Sequence, residues 1–246
     1  MKADPFAQLR LLDLQALDTA VDQHAHKRKN LPEMAEILRL DGLLAGLRDD
    51  VVLAQTVVSD LQRELDKAEA DIEQVRVRKA RDEERLVSGT ITQSKQLEEL
   101  QHEVGTLAKR QSDLEDAELE VMERMEEAQR TLDALLTEKA AHEAAREVAG
   151  VARDAAWVEI DAQSAAASAE RAVVAAELPA DLLALYEKIR AAEGGVGAGM
   201  VERGRCSACR LDLMQNEKAE YRAAAVDEVL RHECRRIIVR TAESGL

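Results

Sequence analysis

Hydrophobic residues recur along much of this chain in alternating steps of three and four. From Val51 the register runs through Ala54, Val58, Leu61, Leu65, Ala68, Ile72 and Val75, passes polar Lys79 and Asp82, and resumes at Leu86. A second run takes Leu97, Leu100, Val104, Leu107, Gln111, Leu114, Glu118, Val121, Met125, Ala128, Leu132 and Leu135. A mean step of about 3.5 residues keeps one stripe of each helix facing a partner, which is the seam of a coiled coil. Val87-Ser88-Gly89-Thr90 interrupts the pattern, and Thr90 with Gln93 resembles a capping box for the next helix. Two matched runs around a short glycine turn predict an antiparallel hairpin with its tip near residues 88–93. Leu86 is expected opposite Leu97, and Val58 near Met125. At about 1.5 Å per residue the hairpin would be roughly 60–80 Å long.

The flanks add shorter elements. Asp4-Pro5 announces a first helix, with Asp at the N-cap and Pro at the first helical position. Its apolar face is expected to use Phe6, Leu9, Leu14, Leu17 and Val21. It ends in the basic run from His24 to Asn30, and Pro32 enforces a break. From Ala140 to Glu177 the seam turns alanine-rich, so the first helix is expected to pack closely there, with Trp157 and Ile160 as bulky anchors. Leu178-Pro179 breaks the helix, and a short one follows from Ala180 to near Glu193. Gly194, Gly195, Gly197 and Gly199 predict a flexible hinge. The expected domains are therefore a helical coiled-coil domain at 1–193, a hinge at 194–200 and a small C-terminal module at 201–246.

Composition argues against one large globule. Aromatic side chains number only four (Phe6, Trp157, Tyr186, Tyr221), while 34% of residues are charged. Long helices rich in Ala, Leu, Glu, Lys and Arg have this signature. The net charge of −15 opposes non-specific nucleic-acid binding by the whole molecule. Val201 to Arg240 holds nine Lys/Arg against seven Asp/Glu, a net +2, so the remainder carries about −17. A polyanion would have to approach the tail. Met1 to Leu14 lacks the pattern of a signal peptide and no apolar run approaches the roughly 18 residues that span a bilayer, so a cytoplasmic protein without membrane contact is expected.

The tail also holds the candidate chemistry. It contains all three cysteines, Cys206 and Cys209 as C-x-x-C, then His232-Glu233-Cys234 after 22 residues. A C-x-x-C turn converges two thiolates on one ion, and a second pair completes the tetrahedral site that Zn²⁺ prefers. In a reducing compartment an odd set of cysteines with this spacing points to metal rather than a disulfide frame. Cys206, Cys209, His232 and Cys234 are thus the expected ligands of one structural Zn²⁺. Residues i and i+2 of a strand point the same way, so His232 and Cys234 are expected on a strand. Ile237 and Val239 are expected to bury one face against Leu211 and Leu213. With so little core, metal binding would supply most of the module's folding energy.

At these residues the chain resembles a family of bacterial proteins with an N-terminal coiled-coil hairpin and a C-terminal C4-type zinc ribbon. The likeness covers essentially the whole length. It is carried by KQLEELQHEV at Lys95–Val104, by the Gly204-to-Cys209 entry and by the Val229–Arg240 ending. The family pattern closes with a second C-x-x-C; counting back from Cys234, its missing cysteine falls at Arg231, which cannot ligate. His232, one residue along, is the nearest replacement and rests on its own chemistry, whereas Cys206, Cys209 and Cys234 match the family directly. The resemblance implies a mainly α fold, a long antiparallel coiled-coil hairpin with a small β zinc ribbon. It also implies an adaptor or chaperone-like role toward nucleic acid or transcription-associated proteins.

Other residues weigh less. His24 and His26 sit on a helix end where i and i+2 diverge, and His102 and His142 lie on long helices. A two-helix hairpin encloses no pocket to tune its carboxylates for acid–base work. The glycine run lacks the Lys-Ser/Thr of a phosphate loop, and the C-x-x-C lacks a βαβ context. No enzyme activity or small-molecule substrate is expected. Arg205, Arg210, Arg231, Arg235, Arg236 and Arg240 form the expected contact surface for phosphates or an acidic protein patch; their plainer role is to keep a small domain soluble. Tyr221 alone among aromatics lies near them, which is thin for base stacking. Two functions remain: an adaptor whose hairpin binds proteins and whose ribbon contacts nucleic acid or transcription-associated proteins, and a structural scaffold with a metal-free, degenerate ribbon.

Overall fold

The computed structural model describes residues 1–242 and Ser244. In chain order it contains α1 (Pro5–Lys29), α2 (Pro32–Val87), α3 (Ser94–Ala176), α4 (Ala180–Ala192), β1 (Ala198–Glu202), β2 (Arg205–Cys206), α5 (Gln215–Ala223), β3 (Leu230–Arg231) and β4 (Ile237–Val239). Two units form, one from residues 36–148 and one from residues 1–35 with 149–246.

The first unit is the helical hairpin. Every position of both heptad runs is buried or half-buried. Leu61 and Leu65 pack against Val121, Met125 and Ala128, and Val58 lines one groove with Met125. The polar steps are part of the seam rather than breaks in it. Asp82 is 1% exposed and lies 3.5 Å from Arg81 Nε and 3.4 Å from Arg85 Nη1 on its own helix. Polar residues at seam positions cost stability and help to fix register. Arg124 pairs with Glu64, and Arg78 with Glu103, across the hairpin. At the tip, α3 begins at Ser94. Thr90 Oγ1 meets Ser88 Oγ at 2.9 Å instead of capping α3, and the Leu97 N–H donates to the Gln93 carbonyl at 3.1 Å. Ile72 is among the most buried seam residues. Ile72→Ala should therefore cost about 2–4 kcal/mol, read as a lower urea midpoint of the hairpin's helical signal.

The second unit begins with α1, whose N-cap Asp4 accepts from the Phe6 N–H at 2.8 Å. Its buried face differs from expectation. Phe6 and Leu9 are exposed, and the core stripe is Ala7, Leu11, Leu14 and Asp18. Leu14 is buried and Leu17 packs against the core as expected, whereas Phe6 and Leu9 give way to Ala7, Leu11 and the carboxylate of Asp18. Leu11 and Leu14 pack with Val174 of α3 and with Leu178, Leu182, Tyr186 and Ile189. Further along, Trp157 Nε1 donates to the Arg28 carbonyl at 3.1 Å. The guanidinium groups of Arg28 and Arg153 each lie 4.7 Å from its ring centroid.

The four strands form one sheet in the order β2-β1-β4-β3, with β1 and β4 parallel and the other two pairs antiparallel. All three residues of β4 are buried, because it has a core on each face. Ile237 and Val239 join the helical core of α1 and α4, whereas Ile238 joins Val201, Leu213, Tyr221 and Leu230 on the other face. The alternation of a strand makes this division. The expected packing of Ile237 and Val239 on Leu211 and Leu213 is thus reversed in face, and Leu211 is exposed.

Segment 194–200 departs from the expected free hinge. Gln15 Oε1 accepts from the Gly197 N–H at 2.6 Å, and Gln15 Nε2 donates to the Gly195 carbonyl at 3.1 Å. Gly199 already belongs to β1. These glycines serve close approach. A Cβ on Gly197 would stand 2.8 Å from the Tyr186 ring, and one on Gly199 would stand 2.7 Å from Ala208 Cβ. Residues 201–240 therefore share a unit with α1 and α4.

Candidate metal centre

Two short turns build the centre. In the first, the Arg210 N–H donates to the Cys206 carbonyl at 2.7 Å and the Cys206 N–H to the Leu211 carbonyl at 3.0 Å. In the second, the Arg235 N–H donates to the His232 carbonyl at 2.8 Å and the His232 N–H to the Arg236 carbonyl at 3.1 Å. His232 and Cys234 thus lie in a turn after β3 and not on a strand as expected. The second turn is one residue shorter than the first, in keeping with H-x-C in place of C-x-x-C.

The ligand atoms of Cys206, Cys209, His232 and Cys234 all lie within 4.8 Å of one another. His232 Nδ1 is 3.5 Å from Cys209 Sγ and 3.4 Å from the Cys234 backbone N. Three thiols and an imidazole converging at this spacing can hold one metal ion, and tetrahedral S₃N ligation is the pattern of structural sites. None of the cysteines is in a disulfide. Burial pushes the Cys206 thiol up to about 12. Burial also pushes on Cys209, but hydrogen bonds from the Leu211 backbone and from Cys206 and Cys234, together with the charge of Arg236, draw it below a thiol's ordinary value. Cys206 must give up its proton to any ion it binds, so uptake releases protons.

The six arginines separate into distinct roles. Arg236 donates to the carbonyls of Val196 at 3.0 Å and Glu193 at 2.7 Å, clamping the glycine segment. Arg240 donates to the carbonyls of Tyr221, Ala224 and Ala225. Arg231 donates to the Arg235 carbonyl, and Arg205 pairs with Asp212 at 2.7 Å. Arg210 and Arg235 are exposed and have no side-chain partner among the described residues. Each follows a cysteine of the centre, and each has a left-handed backbone, with φ of 65° and 66°. Glycine fills such positions without strain, and another residue pays roughly 1–2 kcal/mol.

Sequence reasoning missed two features here. One is α5, whose residues read as a polar stretch. The other is Glu217, a buried carboxylate in the first turn of α5 beside His232. Its spacing to Met214 places a glutamate at the third helical position, but without Ser or Thr at the cap the signal is weak.

Comparison with known proteins bears on both parts. The model of the CT398-like coiled coil hairpin domain matches residues 14–194. The chain belongs to this family. A solved structure from Mycobacterium smegmatis covers 98% of this chain and 100% of its own, with TM-score 0.86 and 35% identity. An uncharacterized protein of Mycobacterium tuberculosis is 39% identical over 248 residues, 98% of each chain. CT398 from Chlamydia trachomatis shares the fold, with TM-score 0.67 and 16% identity over 96% of this chain and 98% of its own. The match of the CT398-like hairpin domain ends before Cys206, so the metal centre stands on its own geometry. No helix among the described residues is long and apolar enough to cross a membrane.

Proposed function

We propose that this CT398-like chain is a non-enzymatic adaptor. Its coiled-coil hairpin binds protein partners, and its C-terminal ribbon, folded around one structural Zn²⁺, contacts nucleic acid or a transcription-associated protein. Thiolate-rich tetrahedral ligation favours zinc over harder ions. Unpaired cysteines fit a reducing, cytoplasmic setting. The observation that carries the contact surface is the pair Arg210 and Arg235, one beside each turn of the centre, exposed and unpaired among the described residues. Arg236 and Arg240 are occupied with backbone carbonyls and are set aside as contacts.

Labelled RNA and DNA titrated across a salt series test this. Log affinity should fall linearly with log salt, and Arg210→Glu with Arg235→Glu should flatten that slope by about 2. Absence of binding at low salt, or a slope unchanged in the double variant, removes nucleic acid as the partner and leaves protein contact. A metal-free scaffold would show no zinc in the same preparation.

A further inference from the structure

Glu217 is a buried carboxylate that the proposed zinc ligation leaves out. It sits in the first turn of α5, 7% exposed, and its two oxygens face different groups. Oε2 accepts from the Met214 N–H at 2.9 Å. Oε1 accepts from the Tyr221 hydroxyl at 3.4 Å and lies 3.8 Å from His232 Nε2. The opposite nitrogen of the same ring, Nδ1, faces Cys209 and Cys234. The imidazole of His232, itself 5% exposed, thus has the Cys209 thiol and the Cys234 backbone N–H on its Nδ1 edge and a carboxylate beyond its Nε2 edge.

A neutral imidazole presents a lone pair on one nitrogen and a proton on the other, and the partner of the protonated nitrogen decides which is which. A carboxylate can only accept, and at 3.8 Å, beyond direct hydrogen-bond length, its charge favours a proton on Nε2. The Cys234 N–H, 3.4 Å from Nδ1, favours the same tautomer, with the lone pair on Nδ1. Charge points the same way. Three thiolates and a neutral imidazole around a divalent ion carry one negative charge fewer than four thiolates do, and Glu217 restores it next to the ligand that replaced the fourth. The Tyr221 hydroxyl shares its one proton between the Arg231 carbonyl at 3.1 Å and Glu217 Oε1 at 3.4 Å, so it supports the carboxylate only in part.

We propose that Glu217 is the positioning residue of the metal centre: it holds the His232 proton on Nε2 and presents Nδ1 to the ion. This rests on His232 as the fourth ligand. Partners of this kind set ligand orientation, and their loss costs metal affinity about 10–100-fold.

The test uses the full chain with Co²⁺ and Zn²⁺ as probes. Competition titration should show one ion per chain, and Glu217→Gln should bind 10–100-fold more weakly. The Co²⁺ absorption bands of thiolate ligation should be retained, because the ligand set is unchanged. Nitrogen NMR of the His232 ring in Zn²⁺-loaded wild type should show a metal-bound Nδ1 and a protonated Nε2, a readout that needs no variant to fold. Tyr221→Phe, which removes only the hydroxyl, should weaken binding by less than Glu217→Gln. Ligation through Nε2, or a Glu217→Gln variant that binds as tightly as wild type, overturns the role of Glu217 while leaving the zinc site intact. A wild-type chain that takes up no Co²⁺, or a His232→Ala variant of unchanged affinity, overturns the fourth ligand and this inference with it.

Discussion

Cys206→Ser should abolish uptake of one zinc per chain and unfold the ribbon, while the hairpin keeps its helix. Cys206 has no exposed surface and lies in the core of Val201, Leu213, Tyr221, Leu230 and Ile238. Serine there offers a poor ligand and buries a hydroxyl in place of a sulfur. Structural zinc sites return apparent binding energies of about 10–16 kcal/mol, comparable with the whole stability of a domain at about 5–15 kcal/mol. The ribbon core is small, so losing one ligand of four should exceed its margin. Elemental analysis reads the zinc, and hydrogen exchange at Val201 and Ile238 should rise to the rate of unfolded chain. Exchange at Leu61 and Val121 should not change, because that seam has its own core. One zinc per chain in the variant, or ribbon amides protected as in wild type, would show that the module does not depend on this centre.

The hairpin was almost wholly legible in the sequence, and the reason is physical. A two-helix seam is decided by residues three and four apart, so local order carries the tertiary contact. The two heptad runs, the turn at Gly89 and the stops before Pro32 and Pro179 all follow from short-range rules. The thiol positions were legible for a similar reason, because C-x-x-C closes on itself. What failed was long-range. Asp18 and Gln15 were not among the core positions expected of α1, since no local signal announces that Arg171, Arg190 and Tyr186 arrive from residues far along the chain. Gly197 and Gly199 signalled freedom, whereas the missing side chains make room for Tyr186 and Ala208. The shared core of β4 with α1 was hidden too, because Ile237-Ile238-Val239 shows only that both faces are apolar. Glu217 could not be singled out among the charged residues of a polar stretch until α5 folded it against His232.

Asp18→Ala is expected to be the most damaging single change outside the metal centre, at about 3–5 kcal/mol. Asp18 is 1% exposed. It accepts from Arg171 Nε at 2.6 Å and from the Tyr186 hydroxyl at 2.7 Å, and it lies 3.3 Å from Arg190 Nε. Its bond to Arg171 is the main cause that raises that guanidinium's pKa, and burial followed by the Asp18 bond raises that of Tyr186. Alanine would take the strongest acceptor from the buried Tyr186 hydroxyl. It would leave Arg171 and Arg190, each about a quarter exposed, with only the more exposed Glu187 and Asp22. Removing one partner of a buried charge network costs more than the pair contributes. Glu187 also contacts Arg171 but is 41% exposed at its side chain, so Glu187→Ala should cost less than about 1 kcal/mol. Urea denaturation of the two variants separates these cases; equal midpoints would mean that solvent, rather than Asp18, compensates Arg171. The damage should also reach the sheet. The Tyr186 hydroxyl, whose one proton goes chiefly to Asp18, also lies 3.1 Å from Gln15 Oε1, and Gln15 accepts from Gly197 at the entry to β1. Loosening Tyr186 frees that entry, so the Gly197 and Ala198 amides should exchange faster in Asp18→Ala even where the hairpin seam is unchanged.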